Sequence, residues 1–175
     1  ERSSIDLDDP DLSLHLHLGR GEAQLSLDGS GGSLHRRGYR AAMGAAPLKE
    51  NLAAGLILLT GWDGSQPLVD PCCGSGVLLI EAAMAALQQA PGLERRFALE
   101  GWADFQPELW EREADRARQR RRGDLTLPPL LGIEADPSIA DQARANVEAA
   151  RLNGVIRIST GRFSDHHLPE GPGVL

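Results

Sequence analysis

Leucine and polar residues alternate along two short stretches near the start of the chain. Leu12 to Leu18 and Ala23 to Leu27 show this period of two, which is typical of strands, and Gly19-Arg20-Gly21 lies between them. The pattern predicts a β-hairpin, with His15 and His17 on its solvent-facing side. We therefore interpret these histidines as surface residues of a strand.

The rest of the chain alternates between short apolar strands and helices. Strands are predicted where an apolar run ends in a turn, and helices where apolar residues follow the 3.6 period. This alternation is typical of an α/β fold with a doubly wound parallel sheet, the Rossmann-like class. Residues 91 to 129 interrupt it with an irregular, charged and aromatic insertion. The predicted order is helix Leu48 to Thr60, strand Pro67 to Asp70, helix Val77 to Gln89, strand Leu130 to Glu134, a helix from Pro137 closed by Asn153-Gly154, strand Val155 to Thr160, and the start of another strand at Gly173 to Leu175.

A glycine turn follows the first of these parallel strands. Asp70-Pro71-Cys72-Cys73-Gly74-Ser75-Gly76 leads into an apolar helix, and its two glycines remove the Cβ atoms that would hold a ligand away from the backbone. A dinucleotide fingerprint would need a small residue where Leu79 stands, and the Gly-Lys-Ser/Thr of a phosphate loop is absent. The turn therefore predicts a nucleoside site with no pyrophosphate requirement, which fits S-adenosylmethionine (SAM) better than NAD or ATP.

Acidic residues end two neighbouring strands of the predicted sheet. Asp70 ends one strand and Glu134 the other, and ligands of doubly wound sheets bind beyond the carboxyl ends of the strands. We therefore expect both carboxylates to face one crevice. Because a carboxylate accepts two hydrogen bonds at once, Glu134 suits the paired hydroxyls of a ribose. Such acids are also typical of helix caps, and Asp136-Pro137 is interpreted as the start of the next helix.

Composition narrows the class of protein. The chain has 175 residues, 41% of them hydrophobic, and its net charge of −7 argues against a surface that binds nucleic acid throughout. The arginine run from 116 to 122 is interpreted as a solvated helix face, because acids precede it.

Adjacent Cys72 and Cys73 match neither a disulfide nor a metal site, which predicts no metal and a reducing, cytoplasmic location. The longest apolar run, Leu52 to Leu59, is too short to cross a bilayer, so no membrane partner is expected.

Three segments resemble one family of enzymes. They are Ser33 to Arg40, Ala46 to Ala54 and Asp70 to Gly76. Together they resemble the THUMP-associated class I methyltransferases of bacteria, and most of all the enzymes that methylate N2 of guanine in 23S ribosomal RNA, which have long carried the provisional name of adenine-specific DNA methylases. The resemblance covers nearly the whole chain. It implies a truncated methyltransferase sheet, with residues 1–40 as hairpin and linker after a THUMP module and residues 41–175 as the cofactor-binding half, including the insertion at 91–129.

The resemblance also implies how SAM is held. The turn from Asp70 to Gly76 would hold its methionine part and Glu134 its ribose, with Asp136 close by. Pro47 and Leu48 would border the methionine end, although a helix entry explains these two residues equally well.

Adenine recognition departs from the family pattern. The family usually has Gly-Asp-Ala after the third strand, with the aspartate against the adenine amine, and this chain has Gly161-Arg162-Phe163 instead. Phe163 is expected to stack on the adenine, and Asp165 to supply the missing carboxylate.

Methyl transfer itself is expected to involve residues beyond this chain. Enzymes of this class that methylate exocyclic amines share an Asn-Pro-Pro-aromatic loop after the fourth strand, which is expected beyond Leu175. No catalytic residue is therefore predicted within the chain, which we interpret as the cofactor half of a longer, THUMP-containing enzyme. Arg36, Arg37 and Arg40 are predicted to hold the backbone of the 23S rRNA substrate.

Three other interpretations stay open. An adenine-specific DNA methylase would share every feature of the cofactor half. A noncatalytic SAM-binding module would bind without turnover. A nucleotide-dependent oxidoreductase is disfavoured by Leu79, where close helix packing would need a small residue.

Overall fold

The protein, in a computed structural model that describes residues 10–40, 48–169 and 171–174, forms an α/β core preceded by a β-hairpin. Strands and helices alternate along the core. Two short 3₁₀ turns lie at Ala98–Gly101 and Phe163–Asp165. The strands are β1 (Leu14–Gly19), β2 (Glu22–Leu27), β3 (Leu68–Asp70), β4 (Leu130–Glu134) and β5 (Ile156–Thr160), and the helices are α1 (Glu50–Thr60), α2 (Val77–Ala86), α3 (Pro107–Gln119) and α4 (Pro137–Ala149).

The central sheet is parallel and has the strand order β3-β4-β5. Val174 continues it on the other side of β3, where its carbonyl accepts a hydrogen bond from the Val69 N–H at 2.9 Å and its own N–H donates to the Pro67 carbonyl at 3.0 Å. The strand predicted at Gly173 therefore begins in parallel pairing with β3. Strand order reverses beside β3, and ligands of open α/β sheets bind at such a reversal.

The core lies between α2 and the sheet, and a glycine in β4 sets their separation. Leu79 of α2 and Leu130 of β4 are buried in this core. A Cβ atom at Gly132 would lie 2.8 Å from the side chains of Leu79 and Ile158 and 2.9 Å from Cys73 Sγ. Leu79 therefore fits against the sheet because β4 carries no side chain at this position.

Helices α2 and α4 both end earlier than the sequence predicted. Each is closed by a residue in the left-handed region, Gln88 with φ 53° and Arg151 with φ 57°. The N–H of the following residue donates back to the last turn of the helix, at 2.8 Å in α2 and 3.0 Å in α4. This is the Schellman geometry that glycine usually supplies. The prediction that Asn153-Gly154 closes α4 was wrong because it relied on the preference for glycine.

The hairpin is exposed on both faces. Leu14 pairs with Leu27, and Arg20 and Gly21 form the two-residue turn in the left-handed conformation. Every residue of β1 and β2 is exposed, so the surface position predicted for the histidines is confirmed. Leu16, on the opposite face, is 63% exposed, and the leucine face is therefore not covered by the part of the chain that the structure describes.

The insertion contains helix α3, of which the sequence predicted only a solvated face along the arginine run. Helix α3 carries its own counterions: Arg116 lies 2.6 Å from Glu113, and Arg118 lies 2.6 Å from Glu111 and 2.7 Å from Asp115. All five side chains are at least half exposed, and the predicted solvated helix face is thus confirmed for these arginines. The insertion is irregular only in the segments that flank α3.

Candidate functional site

The turn between β3 and α2 leaves its backbone open at the reversal point of the sheet. The Cys73 N–H donates to the Ile133 carbonyl at 3.0 Å, which ties the turn to β4, and the Gly76 N–H donates to the Cys73 carbonyl at 2.8 Å. Gly74 and Gly76 have φ of 52° and 79°, in the left-handed region. A Cβ atom added at Gly74 would meet no atom within 4 Å. The bend is therefore bare and accessible to a ligand.

Glu134 connects the end of β4 to this turn. Its Oε2 accepts a hydrogen bond from the Gly74 N–H at 3.0 Å, and its Oε1 accepts one from the Asp136 N–H at 2.9 Å. The side chain is only half-buried. An ionised carboxylate has about four lone-pair positions, so each oxygen retains acceptor capacity toward the crevice. Glu134 can thus shape the turn and still accept ligand hydroxyls.

Asp70 lies within electrostatic range of Glu134, as the sequence predicted for two acids in one crevice. Its Oδ1 accepts a hydrogen bond from the Cys72 N–H at 3.2 Å. Burial raises the pKa of Asp70 above its usual range, and the charge of Glu134 adds to this increase. The two carboxylates therefore give the crevice a negative character that favours a cationic ligand.

The two cysteines of the turn differ in exposure. Cys72 is exposed, and Cys73 is buried beneath the turn. Burial, followed by the charges of Asp70 and Glu134, raises the pKa of Cys73 to about 12. Cys73 is thus a neutral thiol that packs in the core, and it is unsuited to nucleophilic chemistry at neutral pH.

Helix α4 is anchored beside the turn by two polar residues. Asp136 caps it by accepting hydrogen bonds from the N–H groups of Ser138 at 2.8 Å and Ile139 at 3.3 Å, and these bonds lower its pKa. Fully buried Asn146 donates from Nδ2 to the Ser75 carbonyl at 3.1 Å. Asn146 was not predicted from the sequence, where its signal is a polar residue on the apolar face of α4. The Asp136 side chain serves as a helix cap.

The segment after β5 begins next to Glu134. The Gly161 N–H donates to the Glu134 carbonyl at 2.9 Å. Phe163 follows on a 3₁₀ turn and is 39% exposed, and Asp165 accepts a hydrogen bond from Ser164 Oγ at 2.9 Å. Both predicted adenine contacts therefore lie on the short segment that leaves the sheet beside Glu134.

The other predicted cofactor residues precede α1. Pro47 lies outside the described residues. Leu48 is half-buried, and its carbonyl accepts a hydrogen bond from the Arg40 guanidinium at 2.7 Å. Arg40 Nε also lies 3.2 Å from Oε1 of buried Glu50, the first residue of α1. Arg40 thus contacts two residues at the start of α1, one through a backbone carbonyl and one through a carboxylate.

Two of the three arginines predicted to bind RNA have partners inside the protein. Arg37 lies 3.5 Å from buried Glu81, which also accepts a hydrogen bond from the Tyr39 hydroxyl at 3.0 Å. The side chains of Arg37 and Arg40 are only 16% and 10% exposed. Arg36, in contrast, is exposed. This buried polar cluster was not predicted, because the three arginines were interpreted as one surface group.

Neither a metal site nor a membrane span is found in the part of the chain that the structure describes. These residues contain no group of three or more His, Cys, Asp or Glu side chains that could hold a metal ion. None of their helices combines the length and apolar composition that crossing a bilayer requires.

The fold is that of a Rossmann-like α/β protein, with a glycine turn and two strand-end acids at the reversal point of a parallel sheet. The chain belongs to the UPF0020 family: the family model, described as the RMKL-like methyltransferase domain, matches residues 37–173. The methyltransferase family and the fold class expected from the sequence are thereby confirmed.

Relatives of known name are longer than this chain. The chain is 42% identical over 175 residues to slr0064 of Synechocystis sp., provisionally named an RNA methyltransferase, and the match covers 99% of this chain and 45% of that protein. It is 49% identical over 171 residues to the ribosomal RNA large subunit methyltransferase K/L of Pseudomonas entomophila, which covers 93% of this chain and 23% of the relative. The chain thus spans less than half the length of these relatives.

A solved structure supports the same fold. SMU.472, provisionally named a methyltransferase and crystallised with SAH, is 35% identical and superposes with a TM-score of 0.84. The match covers 93% of this chain and 42% of SMU.472. At this identity and similarity, the parallel sheet described above is the sheet of a methyltransferase.

Proposed function

We propose that this chain is the cofactor-binding half of a SAM-dependent methyltransferase that acts on large-subunit ribosomal RNA, at N2 of a guanine in 23S rRNA. The main observation behind this proposal is the bare bend at Gly74, with Asp70 and Glu134 beside it. The complex of SMU.472 with SAH and the name of the K/L relative support the cofactor and the acceptor respectively.

The charge of the crevice suits SAM better than a dinucleotide. Asp70 lies close enough to Glu134 for the charge of Glu134 to add to the burial that raises the pKa of Asp70. A pyrophosphate would add negative charge to this crevice, whereas the sulfonium and amino groups of SAM carry positive charge. Coulomb interactions at a partly buried site are strong enough for this difference in ligand charge to favour SAM.

Each part of the cofactor has candidate partners among the described residues. The free acceptor positions of Glu134 fit the ribose hydroxyls, and the open backbone at Gly74 fits the methionine part. Phe163 and Asp165 are proposed to contact the adenine, with Arg162 in the position of the family's aspartate. Leu48, with Pro47 before it, is proposed to border the methionine end.

When bound, SAM supplies an activated methyl group, so the protein needs mainly to align an acceptor amine and stabilise charge. The residues of this chain would bind and orient the nucleoside. The amine acceptor site is proposed to come from an Asn-Pro-Pro-aromatic loop after Leu175 in the full-length enzyme. A guanine in structured RNA must also be exposed before it can reach the site.

A pair of glycine variants tests the cofactor site. Gly74→Ala places a Cβ atom on the bare bend, and Gly61→Ala does the same at the end of α1; both glycines have a left-handed φ and open space around them. Each variant should lose about 1–2 kcal/mol of stability from backbone strain. Calorimetry should show at least about tenfold weaker SAM binding for Gly74→Ala only, because its Cβ obstructs the approach to the backbone. Equal SAM binding by the two variants would contradict the assignment of this turn.

An acceptor assay separates the remaining functions. Transfer of labelled methyl groups to 23S rRNA and to duplex DNA should be compared in the full-length enzyme, with NADH tested as a competitor of SAM. We expect methylation of the RNA only and no competition by NADH. Methylation of the DNA would indicate the adenine-specific alternative, SAM binding without turnover would indicate a noncatalytic module, and competition by NADH would indicate an oxidoreductase.

A further inference from the structure

The position of the hairpin depends on the linker that follows it. Both strands of the hairpin are exposed along their full length, so they are not packed into the core by their own side chains. The linker, residues 28–38, connects β2 to the buried polar cluster around Tyr39 and Glu81. Whatever fixes this linker therefore also fixes the hairpin relative to the cofactor crevice.

Arg95, in the insertion, holds the linker through four backbone carbonyls. Its guanidinium donates to Ser30 at 2.7 Å, to Ser33 at 3.2 Å, and to Gly32 and Arg36 at 3.3 Å. A planar guanidinium can make several such bonds at once, which an ammonium group cannot match. Arg95 is thereby committed to the protein backbone.

The guanidinium of Arg95 also packs against an aromatic side chain of the insertion. Its Cζ lies 4.8 Å from the centre of the Phe97 ring, and Phe97 packs edge-on against Trp110 of α3 at 5.2 Å. Stacking on an aromatic ring restricts the orientation of the guanidinium plane. Helix α3 thus supports the residue that holds the linker.

Close backbone contacts show that the linker fits this surface closely. The Leu99 N–H donates to the Gly29 carbonyl at 3.1 Å. A Cβ atom at Gly31 would lie 3.0 Å from Ala98 N, and one at Gly38 would lie 2.8 Å from the Glu94 carbonyl oxygen. Both glycines have a left-handed φ. The linker therefore meets the insertion along its length, in a geometry that side chains at these positions would disrupt.

We propose that Arg95 is a positioning residue for RNA: by locking the linker onto the insertion, it fixes the hairpin relative to the methyl-transfer site. This inference rests on the proposed function. RNA that contacts both the hairpin side and the crevice side binds a pre-organised surface, so the ordering cost is removed before binding. Loss of the lock should then weaken RNA binding without altering the cofactor site.

Arg95→Ala tests this role in the full-length enzyme, with Arg96→Ala as the matched control, because Arg96 is the exposed neighbour and its loss removes the same charge. In Arg95→Ala, amides of residues 28–38 should exchange hydrogen at least about tenfold faster, since the four charge-assisted bonds no longer form. The KM for RNA should rise about tenfold, with kcat and SAM affinity unchanged. Arg95→Lys should not restore either property.

Several outcomes would overturn the inference. Unchanged exchange in residues 28–38 would show that Arg95 does not lock the linker. Faster exchange with an unchanged KM for RNA would show a purely structural role. A reduced salt dependence of RNA binding in Arg95→Ala would identify Arg95 as a phosphate contact. If the parent enzyme methylates no RNA at all, the proposed function fails, whereas the exchange experiment still reports on the lock.

Discussion

At the scale of single residues, the negative charge of Asp70 in the crevice lowers the stability of the protein. Asp70 is partly buried beside Glu134, and this burial raises its pKa. Its folded pKa therefore lies above the value in the unfolded chain, so the folded state binds more protons between the two values. The free energy of unfolding must then fall as pH rises through that window. At neutral pH the Asp70 carboxylate destabilises the free protein.

Asp70→Asn is expected to stabilise the unliganded protein at pH 7 and to weaken SAM binding. The amide removes the buried charge, so the melting temperature should rise, and the rise should disappear as the pH is lowered through the pKa of Asp70. Loss of one charged hydrogen-bonding partner should reduce SAM affinity by about tenfold to a hundredfold. Thermal melts across pH and calorimetry with SAM measure the two effects.

The Asp70→Asn experiment has a matched control and a result that would contradict it. Asp141→Asn changes an exposed acid on α4 and should leave SAM affinity unaltered. A lower melting temperature for Asp70→Asn at pH 7 would show that the carboxylate contributes structure, and would contradict the electrostatic explanation.

Sequence position predicted the acids but not the polar residues that support them. Asp70 and Glu134 were found because strand ends meet at one edge of a parallel sheet. Asn146 was missed, because its contact with the Ser75 carbonyl depends on how α4 packs against the turn. Arg37 and Arg40 were assigned to the surface, because a sequence run of arginines carries no information on which of them find buried acids.

At the scale of elements, the packing of α2 against the sheet explains a departure from the dinucleotide fingerprint. That fingerprint uses a small residue on the helix for close approach to the strand. Here Leu79 occupies the helix position, and Gly132 supplies the space from β4. The strand glycine and the helix leucine therefore form one packing unit, which the sequence of the turn alone does not reveal.

Gly132→Ala is expected to destabilise the protein by about 1–3 kcal/mol, because the new Cβ overpacks a filled core. Its contacts would be with Leu79, Ile158 and Cys73, all at under 3.0 Å. Denaturant unfolding measures the loss. As a control, Gly55→Ala lies inside α1 with open space around it and should stabilise by about 0.5–1 kcal/mol. Equal stability of the two variants would contradict this account of the packing.

The elements themselves were largely predictable, whereas their ends were not. Apolar runs located β3 and β4, because strands buried on both faces are largely hydrophobic, whereas β5 was located by its alternation of apolar and polar residues. The ends of α2 and α4 were missed because Gln88 and Arg151 adopt the left-handed conformation usually reserved for glycine. Helix α3 was predicted only as a solvated face along the arginine run; its extent was missed because charged residues dominate its sequence.

At the scale of the whole molecule, three sets of arginines are held by partners within the protein. Those of α3 are paired with acids of the same helix, and Arg37 and Arg40 are paired with buried acids. Arg95 is committed to backbone carbonyls. With a net charge of −7, nucleic acid would be attracted only where an arginine lacks such a partner. Exposed Arg36, whose carbonyl is held by Arg95, is the member of the predicted RNA-binding group best placed for this role.

Arg36→Glu is therefore expected to weaken binding of a 23S rRNA fragment by the full-length enzyme. The slope of log affinity against log salt should fall by about 1 for each phosphate that Arg36 neutralises. Arg157→Glu is the matched control, because this exposed arginine lies near the amino end of β5, away from the edge that carries Asp70 and Glu134. Both variants change the net charge by the same amount, so a general charge effect would alter both slopes equally. A selective effect of Arg36→Glu, with SAM affinity preserved, would assign the RNA contact to the linker that Arg95 holds. An unchanged slope would remove Arg36 from the RNA surface and leave the linker with a positioning role only.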